Sequence, residues 1–379
     1  MFERWWILIG SCIAVLALAG CSRSAALPPP PADPAVTERQ AQTFVDALKP
    51  RRAGRPVVAI LALNDRTETT DFLLPHAVLQ RAGVADVQAV APRRGTVTLY
   101  PAFQVEIAQD FAAFDAAHPN GADYVVVPAM EPDNDAAVTG WLRRQAEKGA
   151  VVVSVCRGAR VVGQAGLLDG RRYTGHWSDR ALLAERHAGA THVPHQRYLF
   201  DRGVASATGI SASVPTALAL VQAIGGHEKA QALAAEIGVA DWGPKHHSTG
   251  FHLDARRRFD YLLNKATALG RHERRRIDVR DGSDDIALAL VADAWSRSGR
   301  VEVNAAVPTG DRVTLRSGLV LRAAPAAGAA PLPLDPALKP MQQLDRTLCE
   351  IRERFGASRH EWVLLEMEYP GGDAACGHV

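Results

Sequence analysis

The chain has 379 residues, a formal net charge of +2 and 47% hydrophobic residues. That length holds two domains, or one large domain with an appendage, and that apolar content is ample for a packed core. The near balance of charge excludes a dedicated nucleic-acid surface, so no nucleic-acid partner is expected.

The first elements are targeting signals. "MFERWWILIGSCIAVLALAGC" places Arg4 before an apolar stretch from Trp5 to Ala19, which reads as a secretory signal. Leu18-Ala19-Gly20-Cys21 resembles the bacterial lipobox, which implies cleavage before Cys21 and a lipid (palmitate-type acylation) on it. About 15 apolar residues are fewer than the ~20 that span a bilayer, so the expectation is a lipid anchor. Ser22 resembles an outer-membrane sorting context, giving a lipoprotein of the cell envelope that faces the periplasm. Residues 22–52, with "LPPPPADP", read as a semi-rigid linker, interrupted by a short helix over "VTERQAQTFVDALK".

From residue 53 apolar strands alternate with helical periods. Strands are expected at 56–63, 85–92, 122–129 and 150–155, with helices at 70–83 and 135–149 between them. Continuous apolar strands separated by helices predict an open parallel α/β sandwich covered on both faces. A helix over 157–170, a strand pair within 195–209 and two helices within 213–239 close the domain near residue 240.

Cysteine usage isolates one thiol. Cys12 leaves with the signal and Cys21 takes the lipid, which leaves Cys156, Cys349 and Cys376. An odd number leaves at least one thiol free, and the pairing expected is Cys349 with Cys376. Cys156 stands where the strand "AVVVSV" ends, at the carboxyl edge where ligands gather in such sheets. A strand that turns into a helix there projects the side chain into a cleft, and the helix N-terminus favours a thiolate. Taken alone, a cysteine at a strand end is more often a buried small hydrophobe.

The surrounding residues point further. "SVCRGARVVGQAGLLDGRRYTGHW" (154–177), "TDFLLPHAVLQRAG" (70–83) and "GVASATGISASVPTALALVQAIGG" (203–226) resemble, in order, motifs of the ThiJ/PfpI family, the class I glutamine amidotransferase-like proteins. The resemblance implies a flavodoxin-like fold over residues 53–240 with Cys156 as nucleophile. It implies Asp71 as the acidic partner, with His176 as a candidate assistant; His187, His192 and His195 lie where other branches carry theirs. The family's Gly pair after the third strand is replaced by Ala129 and Met130, where an oxyanion site would form, and Arg157 follows the thiol. Arg157 is read as lowering the thiol pKa, binding an anionic substrate, or turning outward into a salt bridge.

The second part, 241–379, carries His246, His247 and His252 without a ligand pattern, so neither a metal nor a cofactor is expected. Residues 70–105 align without gaps, at a shift of 216, with 286–321: Gly83 meets Gly299, Pro92 meets Pro308, and "VTL" recurs. With "LDRTLCEIRERFGASRHEWVLLEMEYP" (344–370) resembling the closing two helices, the expectation is a degenerate second half domain. It lacks the elbow and the acid, since Asp71 meets Ala287, and it stands in for homodimer contacts as an internal pseudo-dimer, with a homodimer as the other arrangement. Two functions stay open: a cysteine-dependent hydrolase or lyase acting on a small molecule, amidase-like or isocyanide-hydratase-like, and a non-catalytic ligand-binding or redox-sensing module using Cys156.

Overall fold

The computed structural model describes residues 34–268, 273–325, 328–370 and 376. The signal segment, Cys21 and the proline run lie outside the described residues. Among those described, no helix is long and apolar enough to cross a membrane.

Helix α1 (Pro34–Ala47) occupies the later part of the stretch expected as linker. It is packed onto the domain rather than spaced from it. Phe44, Val45 and Leu48 are buried, the Phe44 ring lies 4.2 Å from that of Tyr198, and the Tyr124 hydroxyl donates to the Leu48 carbonyl at 2.6 Å. One stripe of a helix is enough to anchor it to a core.

The first half follows in β1 (Val57–Leu61), α2 (Thr69–Ala82), β2 (Asp86–Ala91), β3 (Gly95–Tyr100), β4 (Gln104–Ile107) and β5 (Gln109–Asp110). It continues through β6 (Tyr124–Val127), α3 (Ala136–Glu147), β7 (Val151–Ser154), α4 (Gly158–Gln164), β8 (Tyr198–Asp201), β9 (Val204–Ala207), α5 (Ser213–Gly225) and α6 (His227–Ile237). The seven-stranded sheet runs in the order β8-β9-β7-β6-β1-β2-β5 and is parallel apart from the β8–β9 hairpin. Valine-rich β6 and β7 are buried on both faces, as a sheet covered on two sides requires. Helix α4 is shorter than the helix expected over 157–170. It ends at Gln164 and the chain turns at Gly166, whose φ is +74°.

The second half supplies β10 (Glu273–Asp278), α7 (Asp285–Arg297), β11 (Val301–Val307), β12 (Arg312–Thr314), β13 (Val320–Arg322), α8 (Pro340–Phe355) and α9 (Ala357–Met367). The shift of 216 read in the sequence carries through: β1 corresponds to β10, α2 to α7, β2 to β11 and β4 to β13. β10 and β11 pair in parallel, as β1 and β2 do, and Gly299, like Gly83, ends its helix with positive φ. Between β13 and α8 the second half has, among the described residues, only two short strands, Ala324–Pro325 parallel to β11 and Ala330–Pro331 parallel to β10, where the first half has its middle strands and elbow.

The halves join edge to edge. β13 pairs antiparallel with β4, Leu321 opposite Val105, Val320 opposite Glu106 and Arg322 opposite Gln104. Since Val105 and Leu321 are themselves counterparts, a pseudo-twofold axis passes through that pair, the arrangement of an isologous dimer interface built within one chain. Ile60, Leu74, Leu290, Val303 and Leu348 belong to one continuous core. Helix α2 is buried over nearly its whole circumference, because α5 lies on one side and α7 on the other. A Cys349–Cys376 disulfide ties the C-terminal tail to α8, and Cys156 is free.

Candidate active site

The thiol sits on a strained turn. β7 ends at Ser154, the Val155 amide donates to the Val127 carbonyl at 3.0 Å, and the chain then reverses through Cys156 at φ +56°. A non-glycine residue in that left-handed region costs about 1–2 kcal/mol, which the surroundings must hold in place. They do so on two sides. The Cys156 amide donates to the Thr208 carbonyl at 2.9 Å, and Gly158 lets the elbow press against β6: a Cβ there would stand 2.0 Å from the Val127 oxygen. The left-handed turn throws the sulfur off the carboxyl edge of the sheet.

A cavity of about 380 Å³ receives it. Glu68 and Asp71, at the start of α2, approach from the neighbouring strand–helix connection. Glu68 is the N-cap, its Oε2 accepting the Asp71 amide at 2.6 Å and the Thr70 hydroxyl at 2.8 Å. The Asp71 carboxyl is wholly buried. Its Oδ2 accepts the Ala129 amide at 3.2 Å, and Oδ1 has no hydrogen-bond partner among the described residues. Burial first, then the charge of Glu68, raise the Asp71 pKa well above the ordinary aspartate value.

The same forces act on the thiol. Burial, followed by Asp71 and Glu68, raises the Cys156 pKa well above the ordinary thiol value, against a smaller pull from Arg157 and Arg297. The thiolate expected from a helix N-terminus is therefore outweighed: α4 is only two turns long, and the sulfur is buried beside two carboxyl groups. Both shifts run the same way, toward the protonated thiol and the protonated carboxyl.

His176 lines the cavity with both ring nitrogens occupied. Nδ1 meets the Ser178 hydroxyl at 2.8 Å and Nε2 the Glu366 carbonyl at 3.1 Å, and burial lowers its pKa, so the ring is neutral. Arg157 also lines the cavity, donating to the Ser178 hydroxyl at 3.0 Å, with Asp179 at 3.7 Å. Asp179 is shared, bound more closely by Arg160 at 2.7 Å, so Arg157 lines the cavity while leaning on the same buried carboxylate. Ala129 and Met130 form part of the wall, the Ala129 amide committed to Asp71. His187, His192 and His195 stand elsewhere: His187 against Gly163 on α4, His192 edge-on to Tyr173, and His195 with its amide on Ser248. His246 binds buried Glu368 at 3.0 Å, and no group of metal-ligating side chains occurs among the described residues.

Among the lining residues that the sequence did not single out, Glu68, Arg297 and Glu366 bear on the thiol's surroundings. Glu68 reads as an ordinary helix cap. Arg297 and Glu366 come from the second half, and only the repeat register signalled the first of them, as the counterpart of Arg81.

Comparison with known proteins agrees with this geometry. The DJ-1/PfpI family matches over residues 57–223. An isonitrile hydratase of Pseudomonas putida is 36% identical over 126 residues, covering 33% of this chain and 52% of the relative. The HTH-type transcriptional regulator GlxA of Rhizobium meliloti (strain 1021) is 27% identical over 164 residues, covering 43% of this chain and 50% of the relative. The chain thus spans about half the length of these curated relatives. Among solved structures, a ThiJ/PfpI family protein from Pseudomonas syringae is 22% identical, covering 50% of this chain and 76% of its own, with a TM-score of 0.44. Drosophila melanogaster DJ-1beta is 19% identical, covering 50% of this chain and all of its own, also with a TM-score of 0.44. With its sheet order, its elbow cysteine and this match, the segment from residue 57 to 223 is a DJ-1/PfpI family domain.

Proposed function

We propose that this protein is a thiol-dependent enzyme that hydrates a small molecule at an electrophilic carbon of the isonitrile type, with Cys156 as nucleophile and Asp71 as proton carrier. The observation that carries this reading is an elbow thiol that lies within the electrostatic reach of a buried carboxyl group with one oxygen unpartnered. The likeness to an isonitrile hydratase supports the substrate class.

The proton inventory suits such a reaction. The S–H bond adds across the isonitrile: sulfur bonds to the terminal carbon, and the thiol proton reaches that carbon through Asp71, which in its neutral form both donates and accepts. The product is a thioimidate on Cys156. Water then adds to its carbon while nitrogen takes a proton. The C–S bond breaks, sulfur recovers its proton, and an N-substituted formamide leaves. A cavity of about 380 Å³ admits a small substrate, and Arg157 offers its charge to a polar substituent. A thiol held protonated by burial reacts slowly with peroxide, which favours turnover over redox sensing.

The test is consumption of a simple alkyl isonitrile followed by infrared spectroscopy. The wild-type chain is expected to release the formamide. Asp71→Asn should slow turnover by about 10²- to 10⁴-fold, and Cys156→Ala should abolish it. Turnover that survives Cys156→Ala, or no turnover by the wild-type chain, overturns the proposal.

We further propose, from the sequence of the first 21 residues, that the protein is an envelope lipoprotein held at the membrane through Cys21. Cys21→Ser should move it to the soluble fraction; unchanged membrane association would contradict this.

A further inference from the structure

Contacts between the two halves come in symmetric pairs. Arg81 of α2 places Nη2 2.7 Å from Asp284 and 2.6 Å from Asp285. Its counterpart under the shift of 216 is Arg297 of α7, whose Nη2 lies 2.6 Å from Glu68, the counterpart of Asp284. Both acids are N-caps: Glu68 for α2, and Asp284 for α7, where it accepts the Ile286 and Ala287 amides. Each half therefore sends an arginine to the helix cap of the other, as an isologous interface requires.

The two members of the pair have different surroundings. Arg81 is sealed, its side chain 4% exposed, and next to its cap stands Ala287 where the other half has Asp71. Arg297 lines the thiol cavity. Besides Glu68 it holds Asp293 through Nε at 2.7 Å and Glu366 through Nη1 at 3.3 Å, so one guanidinium gathers three carboxylates from three helices or their caps. Its bond to Glu68 fixes the same carboxylate whose other oxygen accepts the Asp71 amide.

We propose that the second half completes the thiol site by contributing Arg297 as a positioning residue, which holds the Glu68 carboxylate in place and thereby sets the placement of Asp71 and the protonation of Cys156. The inference rests on Cys156 being the reacting group. It is tested by a titration that needs no substrate, so its failure is distinct from failure of the isonitrile reading.

The charged groups that face the thiol are few enough to control. Asp71 and Glu68 approach from α2, and Arg157 and Arg160 from the elbow side. His176 and Glu366 stand on the far wall, while Arg66, Glu131, Asp133 and Arg186 line the rest of the cavity. Of the groups that line the cavity, only Glu68 and Glu366 lose a partner when Arg297 is replaced; behind them the buried Asp293 of α7, whose charge also acts on Asp71, loses the same partner.

The experiment is iodoacetamide alkylation of the full chain as a function of pH, read on the Cys156 peptide by mass spectrometry. Arg297→Gln is expected to lower the alkylation rate at pH 8 by about tenfold, equivalent to a one-unit rise in the thiol midpoint. Arg297→Lys should recover at least half of that rise. Glu68→Gln should move the midpoint the other way. Arg81→Gln breaks the symmetric pair far from the thiol and should weaken the fold without moving the midpoint. The proposal is overturned if Arg297→Gln leaves the midpoint unchanged, or if Arg81→Gln moves it as far. Should Arg297→Gln not fold, Glu68→Gln decides: a downward shift supports the proposal, and no shift overturns it.

Discussion

Replacing Arg81 by methionine tests whether the halves form one cooperative unit. Methionine keeps much of the apolar stem and removes only the guanidinium. What remains is Asp285, 0% exposed, with the Ser317 amide at 2.9 Å as its surviving partner on Oδ2, and Asp284, which keeps its two helix-cap amides. Breaking a buried ion pair from one side costs about 3–5 kcal/mol, because the stranded charge keeps its desolvation penalty. The remaining amide bonds put the expected loss near the lower bound, at about 3 kcal/mol. Adding Asp285→Asn removes the stranded charge at nearly constant shape and should restore about half of the loss. Urea unfolding followed by tryptophan fluorescence and by far-ultraviolet circular dichroism measures both variants. The account requires the midpoint to fall with the two probes still coincident. A loss below about 1 kcal/mol, or two separated transitions, would refute the view that α2 and α7 bind the halves through this pair.

Two further predictions concern the fold around the site. His76 is buried against Phe72, its Nδ1 has no partner among the described residues, and its pKa is lowered to about 4 by burial, with Asp285 opposing. The ring is neutral when folded and charges near 6.5 when unfolded, so its contribution is present above pH 6.5 and is lost as pH falls toward 4. The loss amounts to about 3 kcal/mol, and His76→Phe should flatten that part of the stability–pH curve; an unchanged slope would contradict it. Gly158→Ala sets a methyl group against the Val127 carbonyl, so it should cost at least about 3 kcal/mol and slow Cys156 alkylation, measured by thermal unfolding and peptide mass spectrometry. A variant with wild-type stability would show that the elbow has room to spare.

How much of this was legible in the sequence depended on the range of the interaction. The elbow was readable because strand, thiol, small residue and helix follow one another within ten residues. The second half was readable because the repeat keeps one register, from the helix through Gly299 to β13, even with few identities. The packing of α1 was not. Its composition resembles the linker before it, and only the placement of Phe44 against Tyr198 shows that it belongs to the core. The protonation of the thiol was also hidden, since it comes from burial and from two carboxyl groups more than eighty residues earlier. Glu68 looked like a cap and is one; what makes it part of the site is Arg297, which arrives from the far side of a pseudo-twofold axis. Local pattern reveals elements, whereas charge balance in a cavity depends on residues that the pattern does not bring together.

The most direct measurement of the central claim is the intact mass of the protein, quenched in acid during reaction with an alkyl isonitrile. The account predicts a transient gain equal to the whole mass of the isonitrile, located on the Cys156 peptide, slower to form in Asp71→Asn and absent from Cys156→Ala. Formamide production without any adduct, or an adduct on another residue, would contradict it.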